Sequence, residues 1–327
     1  MTIYHSILDT IGNTPVVKLH RIAPKHVDLY VKVEAFNPAG SVKDRLALAI
    51  VLDGEQRGVL KPGDTIVEAT SGNTGIALAA VAAARGYKFV AVMTETFSIE
   101  RRKLIRAYGG KVILTAAAER GSGMVRRAEE LAKRHGWFLA RQFENPANPA
   151  WHRSTTAAEI LRDFAGRRLD HFVSGWGTGG TLTGVGEVLK LARPETRITA
   201  TEPVGASLLS GNAWAPHKIQ GWAPDFVPAV LNRGVVDEIV PVDDLLARDT
   251  ARRLATEEGI FVGLSSGGTV AAALKVAQNA AAGATILAML PDTGERYLST
   301  LLFEGVNEGS DDEWLAAQEA DDKVAAA

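Results

Sequence analysis

Short apolar runs of strand length alternate with helical patterns along most of this chain of 327 residues. Strand followed by helix, repeated many times, is typical of α/β units built on a mostly parallel sheet. The sequence therefore predicts an α/β protein with mostly parallel sheets. The predicted strands are residues 29–34, 65–69, 89–93, 111–115, 171–174, 197–201, 260–264 and 285–290. The predicted helices are residues 73–85, 99–108, 124–135, 155–164, 182–191, 245–258 and 269–281.

The composition is that of an ordinary globular protein, and it excludes several kinds of chemistry. The chain has no cysteine, which excludes disulfides, thiolate metal sites and a cysteine nucleophile, and which fits a reducing compartment. Its seven histidines have no metal-ligand spacing, so no metal site is predicted. A net charge of -2 gives no reason to expect a nucleic-acid partner or an anionic membrane surface. The longest apolar run, residues 76–84, is too short to span a membrane, and with no signal-peptide pattern we expect a cytoplasmic location.

One lysine stands where a surface lysine is disfavoured. Residues 37–45 read Asn-Pro-Ala-Gly-Ser-Val-Lys-Asp-Arg, and an apolar helical pattern follows. We predict that Ser41 is the N-cap and that Asp44 completes a capping box. Lys43 then lies at the positive end of the helix dipole, which favours the neutral amine that a Schiff base requires. The alternative is a solvated lysine beside Asp44 and Arg45.

Three strand-to-helix junctions carry small polar residues and glycines. Ligands of open α/β sheets bind at such strand ends, so these junctions are the candidate binding loops. Residues 70–75 can present backbone and side-chain donors to a carboxylate or a ring oxygen. Residues 175–181 resemble an anion cradle, in which glycines let the backbone approach a phosphate. Residues 263–268 place Ser265 and Ser266 at a strand end, although in this loop and in the first one the hydroxyls are also ordinary helix caps.

A dinucleotide site is the alternative interpretation of the second junction. Gly175, Gly177 and Gly180 fit the pattern G-x-G-x-x-G, and Glu202 ends the next strand, near the position of a ribose-binding acid. This interpretation gives Lys43 and residues 70–75 no role. A nucleotide-binding module therefore stays open as a function of a different class.

Taken together, these motifs resemble the cysteine synthase (O-acetylserine sulfhydrylase) family of pyridoxal-phosphate enzymes, which has fold type II. The resemblance extends from about residue 11 to about residue 305. Its motifs are Ile-Gly-Asn-Thr-Pro at 11–15, the stretches 37–45, 70–75 and 98–102, Gln-Phe-Glu-Asn-Pro-Ala-Asn at 142–148, and the stretches 177–181, 217–221, 263–267 and 294–300.

The resemblance implies a role for individual residues toward pyridoxal 5'-phosphate in a cleft between two α/β domains. Lys43 would hold the cofactor covalently and act as the catalytic base, and Asn73 would hydrogen-bond the oxygen on the ring. Ser265 would face the pyridine nitrogen. The phosphate would be held by Gly177, Thr178, Gly179, Gly180 and Thr181. The substrate carboxylate would be bound by Thr70, Ser71, Thr74 and Gln142.

The implied reaction is a β-replacement in which O-acetyl-L-serine and sulfide give L-cysteine and acetate, the last step of cysteine biosynthesis. The same fold also serves serine or threonine dehydratases and cystathionine-forming enzymes, and a catalytically silent partner-binding protein is a further alternative. The sequence departs from the family pattern at Thr94, at Phe97 and over residues 222–225. The departure over residues 222–225 concerns the identity of the sulfur donor more than the type of reaction.

The resemblance also implies the domain organisation and the partners. Residues 36–145 would form a smaller mobile domain, and residues 1–35 with 146–308 would form a larger one. A homodimer is implied, and in some members the C-terminal peptide of serine acetyltransferase docks in the active site. Residues 309–327 are acidic and alanine-rich, so we predict a disordered tail there.

Overall fold

The computed structural model describes residues 3–70 and 72–325. The burial of side chains is described as far as residue 318. The strands are β1 Val16–Lys18, β2 Asp28–Val33, β3 Thr65–Ala69, β4 Lys88–Thr94, β5 Lys111–Thr115, β6 Phe138–Leu139, β7 His171–Gly175, β8 Arg197–Pro203, β9 Glu238–Val242 and β10 Thr285–Leu290. The α-helices are α1 Lys43–Gln56, α2 Asn73–Arg85, α3 Ile99–Ala107, α4 Arg120–His135, α5 Ala147–Trp151, α6 Ala157–Asp163, α7 Gly180–Ala192, α8 Asp244–Glu258, α9 Leu264–Asn279 and α10 Asp312–Ala325.

These strands form two sheets, each with its own apolar core. One sheet has the order β1-β2-β10-β7-β8-β9, and the other has the order β5-β4-β3-β6. Every pairing is parallel except that of β1 with β2. Because parallel strands are covered by helices on both faces, the strands are largely buried. The prediction of an α/β protein with mostly parallel sheets is confirmed.

Three strands that the sequence did not predict lie at sheet edges. β1 and β9 end the larger sheet, and β6, with two residues, ends the smaller one. β9 contains Pro241, which cannot donate to a ladder and is tolerated at an edge. The predicted strand 260–264 is wrong, because Val262 makes only an isolated bridge to Thr293 and α9 already begins at Leu264.

The predicted helix 155–164 is the last part of a longer and less regular helical segment. It begins with α5, continues through a π-helical turn at His152–Thr156 and ends with α6. Such turns insert one extra residue into a helix and are frequent at functional sites. Here the turn contains the buried His152.

The N-terminal end of the chain contacts the smaller sheet, and the C-terminal end departs from the prediction. Leu8 packs in the core of the smaller sheet, although the predicted boundaries assign residues 1–35 to the larger domain. The tail predicted to be disordered forms α10. Alanines favour helix, and Asp312 and Glu313 in the first turn complement the dipole, which explains a helix whose described side chains are exposed.

Candidate active site

The N-termini of four helices meet at one cavity between the two sheets. Its lining includes Lys43 from α1, Asn73 from α2, residues 177–179 and Thr181 around the start of α7, and Ser265 from α9. The three glycine-rich junctions and the lysine therefore share one cavity. The sequence predicted each of these residues separately, and the fold brings them together.

Lys43 opens α1, but the predicted capping box is wrong. The N-cap is Val42, and the Ser41 hydroxyl accepts a hydrogen bond from the Lys43 amide at 3.2 Å. The Asp44 carboxylate instead accepts from the backbone N–H of Ala39 at 2.6 Å. The turn that contains Gly40, with φ +77°, folds the chain back and brings Ala39 to Asp44.

The amine of Lys43 is poised to lose its proton near neutral pH. Burial lowers its pKa to about 8, against the opposing negative charges of Asp292 and Glu34, while the positive charge of Arg101 lowers it further. The neutral form of this lysine is therefore available at a much lower pH than that of a surface lysine.

Asn73 is held from both sides by charged groups that the sequence reasoning missed. Its Nδ2 donates to the Asp292 carboxylate at 2.6 Å, and its Oδ1 accepts from the Arg296 guanidinium at 2.9 Å. Both partners lie more than 200 residues away along the chain. The only sequence signal was the 294–300 motif.

Residues of α5 and of the π-helical turn contact the loop before α7 and the first turn of α7. Asn148 Nδ2 donates to Thr178 Oγ1 at 3.0 Å, and His152 Nε2 lies 3.2 Å from Thr181 Oγ1. The other ring nitrogen of His152 lies 2.8 Å from Thr156 Oγ1. Burial, reinforced by Arg45, lowers the pKa of His152 to about 3, so the ring is neutral at physiological pH. His152 was missed because the sequence shows no pattern around it.

The glycine at position 179 is needed for a reason that is independent of the predicted approach to a phosphate. Gly179 is the N-cap of α7 with φ +85°, and an added Cβ would lie 2.6 Å from the Leu231 Cβ. Thus a side chain here would strain the backbone and clash with the core, whether or not an anion is bound. Larger substitutions at this position, such as Gly179→Leu, are not expected to leave the fold intact.

A matched pair of glycine variants tests this explanation. Gly166 has φ +72° with nothing within 4 Å of an added Cβ, so Gly166→Ala should cost only the left-handed backbone strain, about 1 kcal/mol. Gly179→Ala should lose about 1–3 kcal/mol more, because it also overpacks the contact with Leu231. Urea unfolding of the cofactor-free proteins measures the difference, and equal losses in the two variants would contradict the packing argument.

Ser265 is the buried second residue of α9, and it lines the cavity. Its hydroxyl makes no hydrogen bond to another residue of the described chain, whereas the backbone carbonyl accepts from Thr269. Ser266 is fully buried and does not line the cavity. Of the two serines in this junction, Ser265 is therefore the one available to a ligand.

The predicted carboxylate-binding residues separate into two groups. Thr74 and Gln142 line a second cavity that also contains Lys43, and the Thr74 hydroxyl donates to Gln142 Oε1 at 2.6 Å. Thr70 lines neither of these cavities; its hydroxyl oxygen accepts from the amides of Gly72 and Gly75, each at 3.0 Å. These contacts of Thr70 are those expected of a helix-capping hydroxyl, which is the alternative that the sequence offered for this loop. Ser71 lies outside the described residues.

The acid required by the dinucleotide interpretation is already engaged. Glu202 is fully buried, and its carboxylate accepts from the amides of Leu209 and Ser210, both at 3.0 Å. The Ser210 hydroxyl adds a third hydrogen bond at 2.6 Å. These bonds organise the loop after β8, so the geometry favours a structural role for Glu202 over ribose binding.

Four features surround one cavity: a lysine of lowered pKa, a fixed amide, a glycine-rich helix N-terminus and a neutral serine. These are the groups that a pyridoxal-phosphate site requires. Residues 7–292 match the family model described as pyridoxal-phosphate dependent enzyme. The chain belongs to this family, and its cofactor is pyridoxal 5'-phosphate. The residues that line the cavity fit the group, since the Lys43 amine would take its aldehyde, the glycine-rich start of α7 would take its phosphate and the Ser265 hydroxyl would face its ring.

The chain is similar to curated proteins with two different names, O-ureido-L-serine synthase and cysteine synthase. The chain is 65% identical over 319 residues to O-ureido-L-serine synthase of Streptomyces lavendulae, covering 97% of this chain and 98% of that protein. It is 50% identical over 299 residues to cysteine synthase of Staphylococcus aureus, covering 91% and 96%. No helix in the described ranges has both the length and the apolar character to cross a membrane.

Solved structures of proteins with both of these names also resemble the chain. The O-ureido-L-serine-bound K43A mutant of O-ureido-L-serine synthase superposes with a TM-score of 0.96 at 64% identity, covering 97% of this chain and 99% of that one. Cysteine synthase from Entamoeba histolytica superposes with a TM-score of 0.87 at 41% identity, covering 94% and 93%.

Proposed function

We propose that this enzyme catalyses a β-replacement on O-acetyl-L-serine in which N-hydroxyurea is the nucleophile and O-ureido-L-serine the product. The observation that carries this proposal is the cavity that opens from Lys43 beyond the cofactor site. Thr94 and Thr96, Arg120, Trp214 and Asp225 contribute to its lining. A hydrosulfide ion needs far less room, whereas a urea group can use both the guanidinium as a donor and the carboxylate as an acceptor.

Within this proposal, the residues around the first cavity hold the cofactor. Pyridoxal phosphate supplies the electron sink for removal of the α-proton. Lys43 would hold it covalently, Asn73 would donate to the ring oxygen and Ser265 would face the ring nitrogen. The phosphate would be held by Gly177, Thr178, Gly179, Gly180 and Thr181.

The side chains of the second cavity bind the amino acid and move its proton. Gln142 and Thr74 would bind the α-carboxylate, and their mutual hydrogen bond fixes the amide of Gln142. Lys43 Nζ takes the α-proton and returns it at the end. The bond from Cβ to the acetate oxygen breaks, the hydroxyl oxygen of N-hydroxyurea forms the new bond to Cβ, and the hydroxyl proton is released.

The second candidate function is the predicted one, in which sulfide is the nucleophile and L-cysteine the product. It is supported by the 50% identity to cysteine synthase and by the same set of residues around Lys43. The two functions share the acceptor substrate and differ only in the nucleophile. A cytoplasmic location, a homodimer and docking of a serine acetyltransferase peptide stay predictions from the resemblance.

A competition between nucleophiles tests the proposal. The holoenzyme is given O-acetyl-L-serine with equal concentrations of N-hydroxyurea and sulfide, and the products are quantified by mass spectrometry. We expect O-ureido-L-serine to form with the higher kcat/KM. Cysteine as the only product would replace the proposal with the second candidate.

A separate reaction with L-serine as the acceptor tests the dehydratase and cystathionine-forming alternatives. Thr74, Thr94, Thr96 and Gln142 are neutral, and the carboxylate of Asp225 in the same lining already accepts hydrogen bonds from the amide and the hydroxyl of Ser122. None of these groups is placed to protonate a departing hydroxide, so we expect L-serine to react much more slowly than O-acetyl-L-serine. Pyruvate or cystathionine formed rapidly from L-serine would move this enzyme to one of those branches.

A further inference from the structure

Asp292 lies at the meeting point of three of the four helix N-termini around the cofactor cavity. It follows β10, is fully buried, and forms an isolated bridge to Ser41 just before α1. Its carboxylate accepts from Asn73 at the start of α2. A Cβ added to Gly263, just before α9, would lie 2.4 Å from its Oδ1. No role described above for the bound cofactor uses this carboxylate.

The hydrogen bonds around Asn73 allow only one direction of its amide. An asparagine side chain has one acceptor oxygen and two N–H donors, and its two ends are easily exchanged. Arg296 can only donate, and it contacts Oδ1 at 2.9 Å. The Asp292 carboxylate accepts from Nδ2 at 2.6 Å. The second N–H of Nδ2 therefore stays available on the cavity that Asn73 lines.

We propose that Asp292, together with Arg296, is a positioning residue that holds the amide of Asn73 so that an N–H faces the oxygen on the cofactor ring. The proposal rests on the proposed contact between Asn73 and that oxygen. If the amide were reversed, its oxygen would face the electron-rich ring oxygen and repel it. Asp292 does not touch the cofactor itself; it acts through Asn73.

The surroundings of Asp292 hold it rigidly in this position. Its Oδ2 accepts a second hydrogen bond from the Tyr297 hydroxyl at 2.7 Å. The Tyr297 ring lies under the Arg101 guanidinium, with 4.7 Å from the guanidinium carbon to the ring centroid. Arg296 also donates to the carbonyl of Ala39, and its own carbonyl accepts from Ser98 at 3.0 Å. The segment after β10 thus joins the larger sheet to the loops of the smaller one.

Asp292 has a second, electrostatic effect that a purely structural residue would lack. Its charge opposes the burial that lowers the pKa of Lys43, as does the charge of Glu34, while Arg101 acts in the other direction. The Tyr297 hydroxyl also faces Asp292, the Arg296 guanidinium contacts the same Asn73 amide, and His152 near Lys43 is neutral. Removing the negative charge of Asp292 should therefore move the Lys43 pKa further down from about 8.

The test uses Asp292→Asn and two readouts on the purified protein. The dissociation constant for pyridoxal phosphate, measured by fluorescence on the cofactor-free protein, should rise about tenfold to hundredfold, as expected for a lost charge-assisted hydrogen bond. The pH midpoint for acylation of Lys43 in the cofactor-free protein, followed by peptide mass spectrometry, should fall below its wild-type value. Tyr297→Phe is the matched control: it removes one partner of Asp292 but leaves the bond to Asn73, so both readouts should change less.

A double variant separates this proposal from the role assigned to Asn73. Asn73→Ala should weaken cofactor binding. Adding Asp292→Asn should weaken it little further, because Asp292 affects the cofactor through Asn73. Fully additive losses, or an unchanged Lys43 midpoint in Asp292→Asn, would overturn the role of Asp292. Normal cofactor binding by Asn73→Ala would instead overturn the role of Asn73.

If Asp292→Asn does not fold, Arg296→Lys tests the other half of the arrangement. The Arg296 guanidinium donates both to the Asn73 amide oxygen and to the Ala39 carbonyl. A lysine can reproduce the geometry of only one of these two hydrogen bonds. Cofactor binding should weaken, and the Lys43 midpoint should not fall, because the positive charge is kept. Unchanged cofactor binding in this variant would contradict the proposal.

Discussion

Lys43→Ala should abolish covalent retention of pyridoxal phosphate and lower turnover by about a thousandfold or more. The amine lies at the cavity where the four helix N-termini meet, and burial lowers its pKa to about 8. Alanine removes both the group that would bind the aldehyde and the group that would move the α-proton. Borohydride reduction of the holoenzyme followed by peptide mass spectrometry measures the first loss, and product formation from O-acetyl-L-serine measures the second.

An exposed lysine provides the control. Lys103 lies on α3, packed beside the smaller sheet, and its side chain is exposed. Lys103→Ala should keep covalent labelling at Lys43 and normal turnover. Covalent labelling of another lysine in the wild-type protein would contradict the assignment, whatever the turnover of the alanine variant.

The local part of the site could be predicted from the sequence, because it depends on residues at helix starts. Lys43, Asn73 and Ser265 each stand within two residues of the beginning of a helix, directly after glycine-rich or polar loops. Strand-to-helix alternation then places such positions at the ligand-binding edge of a parallel sheet. These residues do line one cavity.

The supporting contacts could not be predicted, because they join distant parts of the chain. Asp292 is 219 residues from Asn73, and His152 is 29 residues from Thr181, with no periodic pattern linking either pair. Thr70 shows the opposite difficulty: a hydroxyl at a helix start can cap the helix or bind a ligand, and its sequence position does not decide between them. The folded loop shows that the Thr70 hydroxyl oxygen accepts from two backbone amides, a contact that the sequence alone does not reveal.

The second large effect concerns a buried network of charges next to Lys43. Arg45, two residues along α1, makes ion pairs with Glu34 at 2.7 Å and with Glu159 at 2.7 Å. Lys32 pairs with Glu159 at 2.8 Å, and the side chains of Lys32, Arg45 and Glu34 are fully buried. Removing one partner of such a network leaves a buried charge without compensation.

Glu159→Gln should therefore lower the free energy of unfolding by about 3–5 kcal/mol. The control is Glu257→Gln on α8, whose pair with Arg253 at 2.6 Å is open to solvent and should contribute far less than the buried network. Urea unfolding of the cofactor-free proteins at pH 7 measures both. Equal losses would mean that the buried network contributes no more than a surface ion pair.

The pH dependence of the same variant gives an independent test of the ion pairing. Burial alone would raise the pKa of Glu159, but the hydrogen bond and charge of Arg45, with Lys32, outweigh burial and lower it to about 2. A carboxyl whose folded pKa lies below its ordinary value of 4.5 stabilises the fold above that pH. The stabilisation is lost as the pH falls from about 4.5 toward about 2. The difference in unfolding free energy between the wild type and Glu159→Gln should shrink over this interval, and a difference independent of pH would show that Glu159 acts through packing and not through its charge.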